Sequence, residues 1–521
     1  MSNLKILFKN NLNILLGTLQ GKKQRKSTVI ATAFLVLGAV GIFALYTVQA
    51  YSMFHGLGLL HLEKVCMFHA VLTTLTVLVI IGIMRTSASS RTSDADFLLS
   101  LPIKKRDIII SKTINRYVYD FCFAFLLFVP YLVLYQIFEG FSLQVFCLGL
   151  VFLFLIPLVS VSISYLFDFV VSRLFNRMRL GGLLKSFVMV FVFVLIMVLM
   201  LFKTFTYGSA NFENLDAYFA DRPVSNLVLN FMFSPNVLNV LIVVLVPILM
   251  FVLAVSLYAF DFGKTFASYV SSKTDLKFSN EKSTLSMLFK KELFGYATTP
   301  AYIINTIIGP IMILVLGIFV SSMGYDGISN YLGASLDKNV LAGLIAILFA
   351  GMCSTTQISA SSVSLEGKNL WILKSSPINE KQLFLSKLLV HFSIVQPCII
   401  ISSSLVSIFL KFNLLQLSMV LLFPTVINLL VDFVGLFLNL CFPKFDFDNP
   451  TKVVKQSLPV LLCMVFGILF SALPYAVFKL LKLLSIGNIF AIVMVAYVSI
   501  LIVFLCLLFT KGVKMFRNVQ E

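Results

Sequence analysis

The segment Leu98–Lys112, LLSLPIKKRDIIISK, returns in changed form as Leu373–Lys387, LKSSPINEKQLFLSK. Aligned on their prolines, the two copies match without a gap, and each lies between two long apolar runs. The identical pairs are Leu98/Leu373, Ser100/Ser375, Pro102/Pro377, Ile103/Ile378, Ser111/Ser386 and Lys112/Lys387. An internal repeat in a hydrophobic chain is typical of a transporter built from two equivalent halves.

The composition predicts an all-α polytopic membrane protein. Hydrophobic residues make up 59% of the chain and charged residues 12%, against about 45–50% and about 25% in soluble proteins. A helix needs about 20 apolar residues to cross a bilayer, and the chain offers about twelve such runs. The predicted spans are 28–50, 65–84, 117–137, 142–166, 186–206, 236–260, 301–323, 340–363, 388–410, 415–440, 457–478 and 488–509.

The basic residues predict how these spans are oriented. With the N-terminus inside and alternating spans, most of the 40 Lys and Arg residues fall on the cytosolic side, which is the positive-inside pattern. Both termini are then cytosolic, and the net charge of +18 is mainly an orientation signal, with attraction to anionic lipid as a lesser effect. No nucleic-acid partner is expected.

Further matches extend the repeat into two parallel six-span halves. Leu7–Leu12 (LFKNNL) resembles Leu288–Leu293 (LFKKEL), and SASS occurs upstream of each proline segment. Asp168 and Asp432 occupy corresponding places in the fourth and tenth spans. The predicted order is a cytosolic amphipathic helix at 1–27, a six-span half at 28–270, a cytosolic linker and second entry helix at 271–300, a six-span half at 301–510 and a cytosolic tail at 511–521.

The repeated proline segment predicts a short helix lying along the cytosolic membrane surface. Asp94 and Asp96 suit a helix start, and Pro102 then breaks the helix or turns the chain. Two interpretations stay open: a basic loop that only sets topology, and a docking element for a partner. The repetition in the second half favours docking.

This segment resembles the loop between the second and third spans of bacterial ABC-2-type (type V) export permeases, whose two six-span halves form a pseudo-dimer. Lys444–Ser457 also resembles a cytosolic stretch of their large single-chain forms in Gram-positive bacteria. The resemblance implies a bacterial plasma-membrane protein whose coupling helices contact two cytosolic ABC ATPase subunits per chain. It assigns coupling roles to Asp96, Leu98, Leu101, Pro102, Lys104, Lys105 and Arg106, and to Leu373, Ser376, Pro377, Glu380 and Lys381.

No ATPase, catalytic or metal site is expected in the chain itself. The nearest approach to a phosphate-binding loop is Gly263-Lys264-Thr265, where Tyr258 stands in place of the required first glycine. The eight cysteines form no CxxC pair. We therefore expect no bound cofactor, with ATP hydrolysed by a partner subunit.

The intramembrane carboxylates Asp168 and Asp432 allow more than one interpretation of the protein's function. Ionisable groups inside spans are costly and often functional, so Asp432 is the candidate coupling residue of an ion-driven secondary carrier. A structural role, such as pairing with Arg173 or Arg177, is the plainer alternative. A membrane-embedded enzyme or scaffold acting on lipids is a third class, although no catalytic cluster favours it. The apolar interior suits an amphipathic substrate such as a peptide, lipid or drug.

Overall fold

The computed structural model describes residues 25–58, 63–89, 104–175, 187–188, 190–192, 195, 223–267, 283–332, 337–445, 447, 450–455, 457–480 and 486–518. Within these ranges the chain is helical and contains no strand. It divides into two compact units, one from Met1–Arg179 and Ser209–Lys273, the other from Leu180–Gly208 and Thr274–Glu521. The described residues of 180–208 thus group with the second unit, whereas the sequence placed them in the first half.

Unit 1 consists of six described helices. They are α1 (Arg25–Gly58), α2 (Glu63–Ser89), α3 (Lys105–Phe138), α4 (Leu143–Phe175), α5 (Pro223–Phe233) and α6 (Val237–Ala267).

Unit 2 contains longer helices separated by short ones. They are α7 (Thr284–Thr298), α8 (Pro300–Thr306), α9 (Ile308–Leu332), α10 (Lys338–Cys353), α11 (Ser359–Ser362), a 3₁₀ turn (Ser364–Asn369), α12 (Leu370–Ser375), α13 (Glu380–Phe409), α14 (Leu414–Cys441), α15 (Pro450–Val454), α16 (Leu458–Leu480), α17 (Ile486–Leu507), a π turn (Leu508–Gly512) and α18 (Val513–Asn518).

The prediction of a polytopic helical membrane protein is confirmed. Nine helices of the described part are long and apolar enough to cross a bilayer, and α10 is a shorter apolar helix. Helix α1 covers the first predicted span. Most of the fifth predicted span, the N-terminal 24 residues and the linker to residue 282 lie outside the described residues.

Three predicted boundaries differ from the structure. The seventh span does not begin at residue 301, because α8 ends at Thr306 and the spanning helix α9 begins at Ile308. The eighth span ends at Cys353 rather than 363. The residues predicted as a tail continue helically to Asn518, and Phe516 packs edge-on against Phe384 with ring centroids 5.7 Å apart.

The order of helix packing in unit 1 recurs in unit 2. In unit 1, α1 packs on α3, while α2, α3 and α6 pack on α4. In unit 2, α9 packs on α13, while α10, α13 and α17 pack on α14. The duplication inferred from the proline segments therefore has a counterpart in the tertiary packing of the described helices.

Close helix contacts in unit 2 depend on glycine and serine, which let backbones approach without bulky side chains. A Cβ atom on Gly435 of α14 would lie 2.9 Å from Ser359 Oγ and 3.2 Å from Ala360 N. A Cβ on Gly467 of α16 would lie 2.7 Å from Ser354 Oγ. These contacts hold the segment that follows α10 against α14 and α16.

Candidate functional site

The chain leaves helical geometry after α10 and folds back into the interior of unit 2. Hydroxyl and amide side chains bond local carbonyls there: Ser354 Oγ to Ala350 O (3.0 Å), Thr355 Oγ1 to Met352 O (2.8 Å) and Gln357 Nε2 to Ser354 O (2.5 Å). Such bonds compete with the helix ladder, which explains why an apolar run long enough to span breaks at residue 354.

Asn439 of α14 holds the returning segment in place. Its Oδ1 accepts hydrogen bonds from the backbone N–H groups of Val363 (2.9 Å) and Ser364 (3.0 Å). Its Nδ2 donates to Ser364 Oγ (2.7 Å), which also accepts from Lys444 N (2.9 Å). One buried amide thereby satisfies two backbone donors that lie outside regular helix.

A tight turn then directs the chain into α12. Gly367 has φ +52°, in the left-handed region that favours glycine. A Cβ there would approach the Phe447 ring to 3.3 Å. We call the segment Leu370–Asn379, which contains the second proline motif, the α12 element.

The α12 element has one packed face and one exposed face. Leu370 is buried and Leu373 half-buried in a cluster with Leu288 of α7 and Leu440 of α14. Trp371 and Ile372 are 59% and 47% exposed. The element is therefore anchored on helix ends while presenting two large apolar side chains outward.

The predicted coupling residues of the second copy lie in and beside the α12 element. Ser376 Oγ donates to Ile372 O (2.7 Å) where α12 ends, and Pro377 is exposed. Glu380 begins α13 and accepts from Arg517 Nε of α18 (2.7 Å). Lys381 is exposed, and its backbone N–H donates to the Asn379 side chain (3.0 Å).

The first copy is described only in part. Asp96, Leu98, Leu101 and Pro102 lie outside the described residues. Lys104, Lys105 and Arg106 are exposed at the start of α3, where the helix dipole disfavours cations. The first copy thus differs in charge from Glu380 and Asn379 at the start of α13.

Sequence reasoning missed a buried charge cluster beneath the α12 element. Lys387 of α13 is 1% exposed, and its Nζ lies 2.9 Å from Glu292 Oε1 of α7 and 2.8 Å from Glu366 Oε1 of the 3₁₀ turn. The same ammonium donates to Ser362 O (3.2 Å). Lys291 joins the cluster, 2.5 Å from Glu366 and 3.1 Å from Glu292.

This charge cluster is balanced, with two lysines and two glutamates joining three segments of unit 2. The available sequence signal was the identity of Lys112 and Lys387 between the repeats. Burial of Glu366 would raise its pKa, but Lys387 and Lys291 outweigh burial and lower the pKa from 4.5 to about 2. Glu366 is therefore ionised at neutral pH.

A second polar cluster lies deeper, around the predicted residue Asp432. His391 Nδ1 is 3.7 Å from Asp432 Oδ1, and His391 Nε2 is 2.9 Å from Asn428 Oδ1. Ser359 Oγ donates to the backbone O of Asp432 (2.9 Å). His391 Nδ1, Asn428 Nδ2 and Asp432 Oδ1 have no hydrogen-bond partner among the described residues. The neighbour of this carboxylate is a histidine, which the sequence did not suggest.

The corresponding place in unit 1 carries an arginine. Arg116 follows Lys112 by four residues, as His391 follows Lys387. Its Nη2 donates to Gly82 O (2.7 Å), and its guanidinium lies 4.7 Å from the centroid of the Tyr165 ring. Asp168 is buried in α4. The two units therefore differ in permanent charge at related positions.

A metal centre finds no support among the described residues. No group of three or more His, Cys, Asp or Glu side chains in that part of the chain could hold an ion. The eight cysteines are unpaired with one another.

No curated protein matches the chain. A family model described as "Membrane protein of 12 TMs" matches residues 24–511. That range covers the described helices almost completely and agrees with the twelve predicted spans. The chain belongs to this family of twelve-span membrane proteins.

Proposed function

We propose that the chain is the membrane subunit of an ATP-driven exporter, with separate cytosolic ABC ATPase subunits docking on the α12 element and on its counterpart in the first repeat. The observation that carries this proposal is the two-faced α12 element. Its exposed Trp371 and Ile372 offer an apolar contact, and large aromatic side chains are enriched at the centres of protein interfaces.

The packing of the α12 element supports a role in transmitting force. Leu370 and Leu373 belong to the same apolar cluster as residues of α7, α13, α14 and α18. A partner that moves the α12 element therefore pulls on the ends of two spanning helices. The cluster around Lys387 ties the same region to α7, so the contact with the partner reaches several helices at once.

The proposal places the α12 element and both termini in the cytosol of a bacterial cell. The excess of Lys and Arg in the connections on that side supports this orientation. The differing charges of the two docking segments suit two ATPase contacts of unequal strength, since rim charges mainly tune association. The substrate class follows from the apolar interior: an amphipathic peptide, lipid or drug, moved outward.

The decisive experiment measures ATPase activity that copurifies with the membrane subunit. We expect Trp371→Ala with Ile372→Ala to lower the bound ATPase activity by about tenfold or more, equivalent to about 1.4 kcal/mol. Phe409→Ala is the matched control, because Phe409 is also 59% exposed but lies at the far end of α13. Equal ATPase recovery in all three proteins would contradict the docking role.

An ion-coupled secondary carrier is the second candidate, and a single observation favours it. His391 and Asp432 face each other in the interior with unsatisfied atoms at 3.7 Å. A buried acid and a buried base can exchange a proton within the pair without changing the total charge, and can take up a further proton during a transport cycle. Transport in proteoliposomes, driven by ATP or by an imposed ion gradient, separates the two candidates.

A further inference from the structure

An apolar cavity of about 90 Å³ lies in unit 2, at the end opposite the α12 element. It is bounded by the starts of α10, α14 and α17 and by the end of α16. Its lining includes Asn339, Gly343 and Leu344 of α10, Phe423 of α14, Tyr475 of α16 and Phe490 of α17.

The chemistry of the lining excludes a polar ligand. Asn339 is the one amide in the lining, and its Oδ1 accepts a hydrogen bond from Gln416 Nε2 (2.9 Å). A buried water needs two to four polar partners, which this lining does not offer. The cavity therefore takes hydrocarbon or stays empty.

One residue of the lining is typical of a membrane–water interface. Tyr475, in the last turns of α16, is 46% exposed. Tyrosine side chains at helix ends mark the headgroup region of a bilayer.

We propose that the cavity holds the end of one phospholipid acyl chain. The bilayer that surrounds these spans supplies lipid acyl chains at high local concentration. An apolar cavity of about 150 Å³ holds one benzene, so this smaller space suits a few methylene groups rather than a whole lipid. Because the acyl chain moves from one apolar medium to another, the gain in free energy comes from restored dispersion contacts with the lining.

Gly343→Leu tests the proposal by filling the cavity from within. A Cβ at Gly343 meets no atom within 4 Å, and leucine favours a helix interior over glycine by about 1 kcal/mol. Gly41→Leu in α1 is the matched control, since a Cβ there also meets open space. Phospholipid retained per chain after purification is counted by native mass spectrometry.

We expect wild type and Gly41→Leu to retain a phospholipid that Gly343→Leu loses. Added phospholipid should raise the unfolding temperature of wild type more than that of Gly343→Leu, because a ligand bound only to the folded state stabilises it. Retention that is equal in wild type and Gly343→Leu, or absent from both, overturns the proposal.

A photoreactive phospholipid with a diazirine at the chain end gives a readout that needs no variant. Crosslinks in wild type should concentrate on the cavity-lining parts of α10, α14, α16 and α17. Crosslinks spread evenly over lipid-facing helices, with none enriched at Leu344 or Phe490, would also overturn it.

Discussion

Lys387 Nζ and Glu366 Oε1 lie 2.8 Å apart in the interior of unit 2 and join the start of a spanning helix to the turn that precedes the α12 element. The two residues are 21 positions apart in the chain, and the second carboxylate partner, Glu292, is 95 positions away. A buried ion pair adds little net stability over apolar packing, but removing one partner is costly because it leaves the other charge buried and unpaired.

Replacing Lys387 should destabilise unit 2 much more than replacing Lys291. In Lys387→Met the carboxylates of Glu292 and Glu366 lose a fully buried cation, for which we expect a loss of about 3–5 kcal/mol. Lys291 is 44% exposed, so Lys291→Met should cost about 0–1 kcal/mol. Thermal unfolding in detergent measures both. Similar unfolding temperatures for the two variants would show that the buried ion pairs of Lys387 do not stabilise unit 2.

Acid should weaken the same cluster through Glu366. Because its folded pKa is lowered from 4.5 to about 2, ionised Glu366 contributes stability that is complete above pH 4.5. That contribution is lost as the pH falls through 4.5 towards 2. Glu366→Gln should therefore show a flatter fall in unfolding temperature over this interval than wild type. Parallel curves for the two proteins would contradict the assigned pKa.

The two ends of α13 should be accessible from opposite sides of the membrane. Its 30 residues span about 45 Å at 1.5 Å each, which exceeds the roughly 30 Å hydrocarbon core. An impermeant thiol reagent applied to intact cells should label Lys411→Cys and leave Ser375→Cys unlabelled until the cells are permeabilised. The unmodified protein supplies the background from its eight native cysteines. The reverse labelling pattern would invert the proposed topology.

Trp371 should report directly on docking, because it is the single tryptophan of the chain and lies on the exposed face of α12. Contact with an ATPase subunit should remove water from the indole and shift its emission to shorter wavelength. Titration of the purified membrane subunit with a tryptophan-free ATPase variant measures the effect. Formation of a stable complex without any change in emission would place the contact elsewhere.

The pair His391–Asp432 should separate an ATP-driven exporter from an ion-coupled carrier. Asp432→Asn and His391→Gln keep the side-chain size and much of the hydrogen-bonding capacity while removing proton exchange. In an exporter we expect transport in proteoliposomes to require ATP and to survive both changes, with reduced stability at most. Transport that follows an imposed ion gradient, ignores ATP and disappears in both variants would establish the carrier instead.

Much of the fold could be predicted because the local composition of a segment indicates whether it spans a membrane. A run of about 20 apolar residues crosses a bilayer whatever surrounds it, so span positions and the repeat were readable from neighbouring residues. The α12 element was also readable, since Pro377 and the residues around it repeat those around Pro102.

Tertiary structure decided where the helices break and which polar groups meet. Residues 354–358 lie outside helix, and Asn439, 75 positions from Ser364, holds the end of the returning segment in place. Lys387 interrupts an apolar run. Its ammonium can be buried there because carboxylates from two other segments pair with it. Hydropathy is a sum over neighbours along the chain, whereas the cost of a buried charge depends on partners that only the packed fold brings within 3 Å.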